Sequence, residues 1–248
     1  MIEAVTPRRW TAAVLLALAA ALGGCASVPN PNPDDPFEGY NRGMQRFNDA
    51  VDDAVLAPVA RTWRDQVPSF VRTGVGNFFG NLDDAWSAVN HLLQAKPEPA
   101  LTMTMRVAVN SVFGFGGLLD IGTEAGLERQ SEDFGQTLGR WGLPAGPYLV
   151  LPLLGPSSVR DTAGRPLDMA ATSTARIGLE EAQITIASLL NVVDTRARLL
   201  GASRLLEQAA LDRYVFLRDA YLARRRNLVY DGDPPPLPEP DWEEPAAR

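Results

Sequence analysis

The stretch Ser131–Gly164, SEDFGQTLGRWGLPAGPYLVLPLLGPSSVRDTAG, lies between two helix-rich halves of the chain and decides the fold. It contains six glycines and four prolines. Glycine frees the backbone and proline restricts it, so the stretch predicts short, stiff pieces rather than a long helix. Its apolar run, Tyr148 to Leu154, is shorter than the roughly 20 residues that a membrane-spanning helix needs. The run is therefore a buried strand-like segment or a wall that an apolar ligand contacts, and a packed irregular loop fits the local pattern equally well.

Helical patterns flank this stretch on both sides. Apolar residues from Phe37 to Val55 recur at spacings of three and four, which is typical of an amphipathic helix. We expect Pro58 to break or kink it, Gly80 to end a later helix, and Asn81 to cap the next one. Further helices are predicted at 97–113, 172–200 and 204–227, with one or two helical turns at 157–163.

No strand alternation or internal repeat is evident, so the predicted fold is all-α with an irregular glycine- and proline-rich centre. Amphipathic helices of this kind either pack into a globular core or lie in a membrane interface. Periodicity alone favours the core. No predicted helix after the N-terminal signal offers eighteen uninterrupted apolar residues, so we expect none to span a membrane.

The N-terminus has the layout of a lipoprotein signal. Arg8 and Arg9 precede the apolar stretch Trp10–Leu22, and two glycines then lead to Cys25, the one cysteine in the chain. The pattern predicts cleavage after residue 24 and acylation of Cys25, which leaves no cysteine for a disulfide. Ala26 in place of aspartate favours sorting to the outer membrane.

The remaining organisation follows from composition. Residues 25–34 form the lipidated cysteine and a flexible proline-rich tether, residues 35–231 the helical domain, and residues 232–248, with six prolines, a disordered tail. Without residues 1–24 the chain keeps 21 of its 23 Lys and Arg and 29 of its 30 Asp and Glu, so its net charge is −8. That balance argues against nucleic-acid binding. The triplet Arg224–Arg226 is best explained as favouring the C-terminal end of a helix.

Residues for catalysis are scarce. The chain has one histidine, His91, and no G-x-S-x-G nucleophile motif. Its one lysine, Lys96, precedes proline rather than serine or threonine, so there is no Walker A loop. One histidine and no free cysteine make a zinc site improbable. We therefore expect no enzyme activity, no metal and no cofactor.

Several sequence blocks together resemble the MlaA (VacJ) family of outer-membrane lipoproteins. The most specific is Asp133–Gly139, DFGQTLG, and the resemblance covers Asp35 to about Arg225 in the family's order. Other matching blocks are Asp35–Glu38 with Asn41-Arg42, Phe47-Asn48, Asn77-Phe78 with Asn81-Leu82, Asn110-Ser111, Gly146–Tyr148, Gly155–Ser157 with Arg160-Asp161, and Asp212 with Tyr214, Arg218 and Tyr221.

The resemblance implies a fold, a location and a function. The family's fold is a ring-like single layer of amphipathic helices in the periplasmic leaflet of the outer membrane, around an amphipathic channel. Through it, phospholipid misplaced in the outer leaflet passes to a soluble periplasmic carrier, MlaC, and trimeric porins are the usual membrane partners. This moves the interpretation from core helices to interfacial ones. A non-transporting scaffold lipoprotein and a lipid-modifying hydrolase remain the alternatives.

The match also suggests site residues. We expect the lipid path or its gate to involve the first helix, the turn 139–146 and the apolar run, through Phe47, Asn48, Leu138, Gly139, Gly142, Gly146, Tyr148 and Leu151. Phe47 would otherwise belong to the helix core. Arg160 and Asp161 form either a structural ion pair or a head-group contact.

Overall fold

The fold is predominantly helical, which confirms the predicted class. The computed structural model describes residues 35–172, 180–209 and 211–236. In chain order its elements are α1 (Glu38–Val51), a π-helical segment (Asp52–Leu56), α2 (Ala57–Gln66), α3 (Ser69–Leu93), α4 (Pro97–Val112), α5 (Ile121–Glu124), α6 (Phe134–Arg140), β1 (Tyr148–Leu151), β2 (Gly155–Ser158), α7 (Val159–Thr172), α8 (Glu181–Ala209) and α9 (Arg213–Val229). The signal peptide, Cys25, the tether and residues 237–248 of the tail lie outside the described residues.

The first helical rod is not interrupted at Pro58, so the expected break there is wrong. A π-helical segment, Asp52–Leu56, joins α1 to α2, and the amide of Ala57 donates to the carbonyl of Asp52 five residues back. Pro58 occupies the first turn of α2. A proline has no N–H to donate, and the wider π turn just before it adjusts the backbone without ending the helix.

The predicted boundary at Gly80 and Asn81 is also wrong, because α3 runs through both residues. A Cβ at Gly80 would lie 2.9 Å from the guanidinium of Arg129, so this glycine allows close packing rather than a helix end. Asn81 donates from its amide to Ser111 Oγ at 3.1 Å instead of capping a helix. Tertiary packing, which local propensity does not encode, thus overrides the signal for a helix end at Gly80 and the signal for a helix start at Asn81.

The apolar run forms the first strand and the tip of a two-stranded antiparallel hairpin. The all-α prediction missed this strand pair. β1 pairs with β2 in the register Tyr148↔Ser158 to Leu151↔Gly155. The tip needs left-handed backbone conformations, with φ of 61° at Leu153 and 77° at Gly155. Of the alternatives for this run, the buried strand-like segment is therefore the one observed.

The later helices differ from the prediction in their bounds. α7 is longer than the expected one or two turns and contains Pro166. α8 extends to Ala209, and α9 begins after Asp212, whose carboxylate accepts hydrogen bonds from the amides of Tyr214 and Val215 at 2.9 and 3.2 Å. The periodic pattern located both helices but not the cap between them.

The described interior is more polar than apolar. Two small apolar clusters form, one between α2 and α8 and one joining β1 to α9. Elsewhere charged groups are buried: Arg106, fully enclosed on α4, donates to Asp84 at 3.1 Å and to Asp120 at 2.9 Å. By contrast, many large apolar side chains are exposed, and on the α3–α4 pair they include Phe70, Leu92, Leu101, Val112, Phe113 and Phe115. Within the described ranges, none of the helices has the length and apolarity required to cross a membrane.

Candidate functional site

Asn41 of α1 fastens the hairpin to the first helix. Its side chain is fully buried, donates to the carbonyl of Tyr148 at 3.0 Å and accepts from the amide of Val150 at 2.8 Å. It also donates to Asp35, whose carboxylate in addition accepts a hydrogen bond from the hydroxyl of Tyr214. One asparagine thus pairs with β1 as a neighbouring strand would.

Asn48 repeats this arrangement two helical turns later. It donates to the carbonyl of Leu151 at 2.9 Å and accepts from the amide of Leu153 at 2.7 Å. These bonds are more accessible than those of Asn41, because they lie at the hairpin tip. The neighbouring Phe47 is half exposed and faces away from the core. The two asparagines, seven residues apart, share one face of α1 and set the position of the hairpin.

The turn that follows α6 is ordered by its glycines. Gly142 has a φ of 96°, and the amide of Leu143 donates to the carbonyl of Leu138 while that of Gly142 donates to Gly139. These two bonds are the Schellman motif that closes a helix C-terminus. Gly146 also has a positive φ, 67°, so both positions favour glycine for conformational reasons.

A cavity of about 470 Å³, here called the turn cavity, lies beside this turn. Both apolar and charged side chains line it. Its lining residues include Gly139, Gly142, Leu143, Pro144, Arg160, Asp161, Tyr221, Leu222, Arg225, Arg226 and Val229. The wall at Gly139 is tight, because a Cβ there would lie 2.8 Å from Arg160 Nη1 and 2.9 Å from Val229.

Buried ion pairs form the polar part of the turn cavity. Asp161 accepts from Arg160 at 2.9 Å, from Arg225 at 3.0 Å and from the hydroxyl of Tyr221 at 2.7 Å. Arg225 also donates to Asp133, at 2.8 Å, and Asp133 caps α6 through the amide of Gln136. Burial opposes ionisation of Asp161, but the charge of Arg225 and the hydrogen bond from Tyr221 outweigh it and lower the pKa of Asp161.

The same competition acts at Asp133. Burial is the largest single influence on this carboxyl and opposes its charge, yet the hydrogen bond from Arg225 helps to lower the pKa of Asp133. Both carboxylates are therefore ionised at neutral pH, and the pair of aspartates balances the pair of buried arginines.

A second cavity of about 430 Å³, here called the hairpin cavity, lies at the hairpin tip. Its walls include Asn48 and the exposed Leu153 and Leu154, and they continue onto α8. On its polar side Arg196 of α8 forms two 2.7 Å hydrogen bonds with Asp52, which lies in the π-helical segment. The hairpin contributes to both cavities, because Gly155 lines the hairpin cavity and Ser158 lines the turn cavity.

The predicted site residues fall into three groups. Asn48 lines the hairpin cavity, whereas Gly139, Gly142, Arg160 and Asp161 line the turn cavity. The others line neither cavity: Phe47, Leu138, Gly146, Tyr148 and Leu151. Among these, Tyr148 is fully buried and packs its ring against Tyr214 and Tyr221.

Sequence reasoning did not assign three residues of the site. Asn41 belongs to a matching family block, but its role depends on a hairpin more than 100 residues away. Asp133 appeared only within the DFGQTLG block, without a function. Arg225 lies in the arginine triplet, which sequence reasoning explained by the preference of arginine for the C-terminal end of a helix. That explanation missed the buried ion pair of Arg225 with Asp161. Long-range pairing of this kind leaves no local signal.

The possible catalytic residues have structural partners. His91 is buried and its Nε2 lies 2.9 Å from the carbonyl oxygen of Gln130. Ser157 shares a hydrogen bond with Thr162. In the part of the chain that the structure describes, no group of three His, Cys, Asp or Glu side chains could hold a metal ion.

Comparison with known proteins gives consistent matches. The family model for the MlaA lipoprotein matches residues 33–228. The intermembrane phospholipid transport system lipoprotein MlaA of Shigella flexneri is 35% identical over 227 residues, which is 89% of each chain. The protein of the same name from Haemophilus influenzae is 33% identical over 232 residues, 90% of this chain and 92% of that one.

A solved structure agrees with these sequence matches. It comes from work on the structural basis for maintenance of bacterial outer membrane lipid asymmetry, and superposes with a TM-score of 0.68 at 36% identity. The match covers 79% of this chain and 98% of the other. The chain therefore belongs to the MlaA lipoprotein family.

Proposed function

We propose that this protein removes phospholipid misplaced in the outer leaflet of the outer membrane and passes it, intact, to a periplasmic carrier of the MlaC type. It lies in the periplasmic leaflet as a ring-like layer of amphipathic helices, is anchored through acylated Cys25, and has a porin trimer as its membrane partner. The names of its relatives, which concern phospholipid transport, support the substrate class.

The observation that carries the proposal is the inverted burial of side chains. Arg106 is enclosed together with Asp84, while Phe113 and Phe115 at the end of the α3–α4 pair are about 70% exposed or more. In water, exposing apolar area costs about 25 cal/mol per Å². That cost disappears in a lipid environment, and an exposed apolar surface of this extent marks a membrane or protein contact.

The two cavities support a passage for an amphipathic molecule. Moving a two-chain lipid into water exposes about 30 methylenes at ~0.8 kcal/mol each, roughly 24 kcal/mol in total. A conduit must therefore keep the chains on apolar walls and the head group near polar groups. The turn cavity provides both kinds of group, since Leu143, Leu222 and Arg160 all line it. Where lipid asymmetry is the resting state, a misplaced phospholipid lies at higher free energy, so it can descend passively or on energy that another protein supplies.

Reconstitution tests the proposal directly. The purified, acylated protein in liposomes should transfer intact labelled phospholipid to a purified MlaC-type carrier, and liposomes without the protein serve as the control. Carrier that receives no lipid would favour the scaffold alternative. Cleaved lipid products would favour the hydrolase.

A disulfide can test whether the turn moves during transfer. A Cβ built on Gly146 lies 3.2 Å from the Cβ of Val159, close to the separation of about 3.5–4.5 Å in a disulfide. We expect the oxidised Gly146→Cys/Val159→Cys variant to lose transfer relative to its own reduced form, which carries the same backbone strain at position 146. Equal transfer in both forms would exclude a gating role for this turn.

The anchor is tested separately. We expect Cys25→Ala to release the protein from the outer-membrane fraction and to stop lipid removal in cells. A working variant that still fractionates with the outer membrane would show that acylation does not place the protein.

A further inference from the structure

Three arginines converge on the turn cavity of a chain whose net charge is −7. Arg160, Arg225 and Arg226 line it, and among the described lining residues one carboxylate, that of Asp161, opposes them. The second aspartate of the cluster, Asp133, pairs with Arg225 from outside the lining. Two carboxylates thus face three guanidinium groups, and one positive charge remains.

The excess charge belongs to Arg226. Arg160 and Arg225 are nearly buried and engage Asp161, whereas Arg226 is partly exposed at the cavity and donates to the backbone carbonyl of Pro235, a neutral partner. Arg225 does not add to this excess, because its Nε lies 2.9 Å from Asp161 Oδ2. A partly exposed guanidinium that pairs with a neutral carbonyl oxygen favours an anion.

The lining of the cavity also contains apolar side chains. Leu143, Pro144, Leu222 and Val229 are among them, and the volume of about 470 Å³ lies within the range of roughly 300–1,000 Å³ typical of ligand sites. An anion bound at Arg226 would therefore have apolar walls beside it. This combination fits a phosphate group that carries acyl chains better than a fully hydrated ion.

We propose that the turn cavity is a phosphate-binding subsite, with Arg226 as the direct contact beside the charge-balanced ion pairs of Arg160 and Arg225. The ligand is the phosphate diester of a phospholipid head group, and free phosphate shares the chemistry that would be recognised. This inference rests on the proposed transport function, because transport brings the lipid to the cavity.

Arg224 provides a matched control for Arg226. It lies two positions earlier on the same helix, is exposed, and does not line the turn cavity. Arg224→Gln and Arg226→Gln therefore remove the same charge from the same helix, and Arg226→Lys restores the charge alone. Full-length protein in detergent is titrated with dioleoylphosphatidylglycerol, with dioleoylglycerol, which lacks phosphate, and with inorganic phosphate, and bound species are counted by native mass spectrometry.

We expect Arg226→Gln to weaken phosphatidylglycerol binding about tenfold, which corresponds to about 1.4 kcal/mol, while Arg224→Gln binds like wild type. Dioleoylglycerol should bind all variants equally, and Arg226→Lys should recover most of the affinity. Equal phosphatidylglycerol affinity in the two glutamine variants would overturn the subsite. Tight inorganic phosphate binding without phosphatidylglycerol binding would make free phosphate the ligand and overturn the lipid assignment.

The transfer assay separates this inference from the transport proposal. If the wild type transfers lipid to the carrier but the two glutamine variants bind alike, the subsite alone is wrong. If the wild type transfers no intact lipid, the transport function itself fails. Similar thermal unfolding midpoints of both glutamine variants would confirm that binding differences do not arise from misfolding.

Discussion

Replacing Asn41 by alanine tests how the hairpin is held. The change removes the side chain that pairs with the carbonyl of Tyr148 and the amide of Val150, and both backbone groups lie in a buried site. Leaving a buried donor or acceptor without a partner costs about 1–3 kcal/mol, so two such groups cost about 2–6 kcal/mol. Asp35 loses one donor as well but keeps the hydroxyl of Tyr214. Against a typical total stability of about 5–15 kcal/mol, this is a large loss.

Asn48 is the internal control for this prediction, because it makes the same two kinds of bond to the same hairpin. Its contacts to Leu151 and Leu153 are more accessible, so water can replace the lost amide. We therefore expect Asn48→Ala to cost about 1 kcal/mol. Urea titration in detergent micelles gives the free energy of unfolding of each variant. Hydrogen exchange at the amides of Val150 and Leu153 shows whether the loss arises at the hydrogen bond that was removed. Equal losses in the two variants, or unchanged exchange at Val150 in Asn41→Ala, would refute the reasoning.

Three further predictions concern packing and charge. Gly139→Ala should destabilise the protein by about 1–3 kcal/mol, because the new Cβ would lie too close to the side chains of the turn-cavity wall. Gly201→Ala, with open space around it, should stabilise the protein by about 0.5–1 kcal/mol in the same urea titration. An unchanged stability of Gly139→Ala would mean that the wall residues shift to make room. Arg106→Ala should cost about 3 kcal/mol, the lower end of the range for a broken buried ion pair, because the buried Asp84 keeps Arg129 as a partner. Arg129→Ala, at a partly exposed position, should cost clearly less, and similar losses in the two variants would contradict the burial argument. The pKa of Asp161 is lowered in the folded state, so its contribution to stability is complete above about pH 4, the unfolded value, and is lost as pH falls through the folded value. Urea titrations between pH 7 and 3 should show that Asp161→Asn loses less stability on acidification than the wild type does. The same pH profile in both proteins would mean that the Asp161 carboxyl does not contribute to the pH dependence of stability.

The glycine and proline pattern predicted the irregular centre of the fold but not its form. Tyr148–Leu154 reads as strand-like, yet the decision between hairpin and loop depends on Asn41 and Asn48, which lie far away in the sequence. Similarly, Gly80 carries the local signal of a helix end, and only its contact with Arg129 explains why α3 continues. Turn positions were better specified, because a positive φ at Gly142 or Gly146 is a local requirement.

The sequence by itself determined the helical character of the chain and the family, since these depend on composition, spacing and local motifs. From the same kind of local pattern it predicts a lipoprotein signal that ends at Cys25. Only the tertiary structure decided which face of each helix is buried. Periodicity distinguishes the apolar face of a helix from its polar face, but it does not say which face packs inside. In this fold the interior holds many charged groups, such as Arg106 and Asp84, while much of the apolar surface faces outward. The turn cavity likewise depends on ion pairs between Asp133, Asp161 and Arg225, because charges far apart in the chain become partners only when the fold brings them within hydrogen-bonding distance.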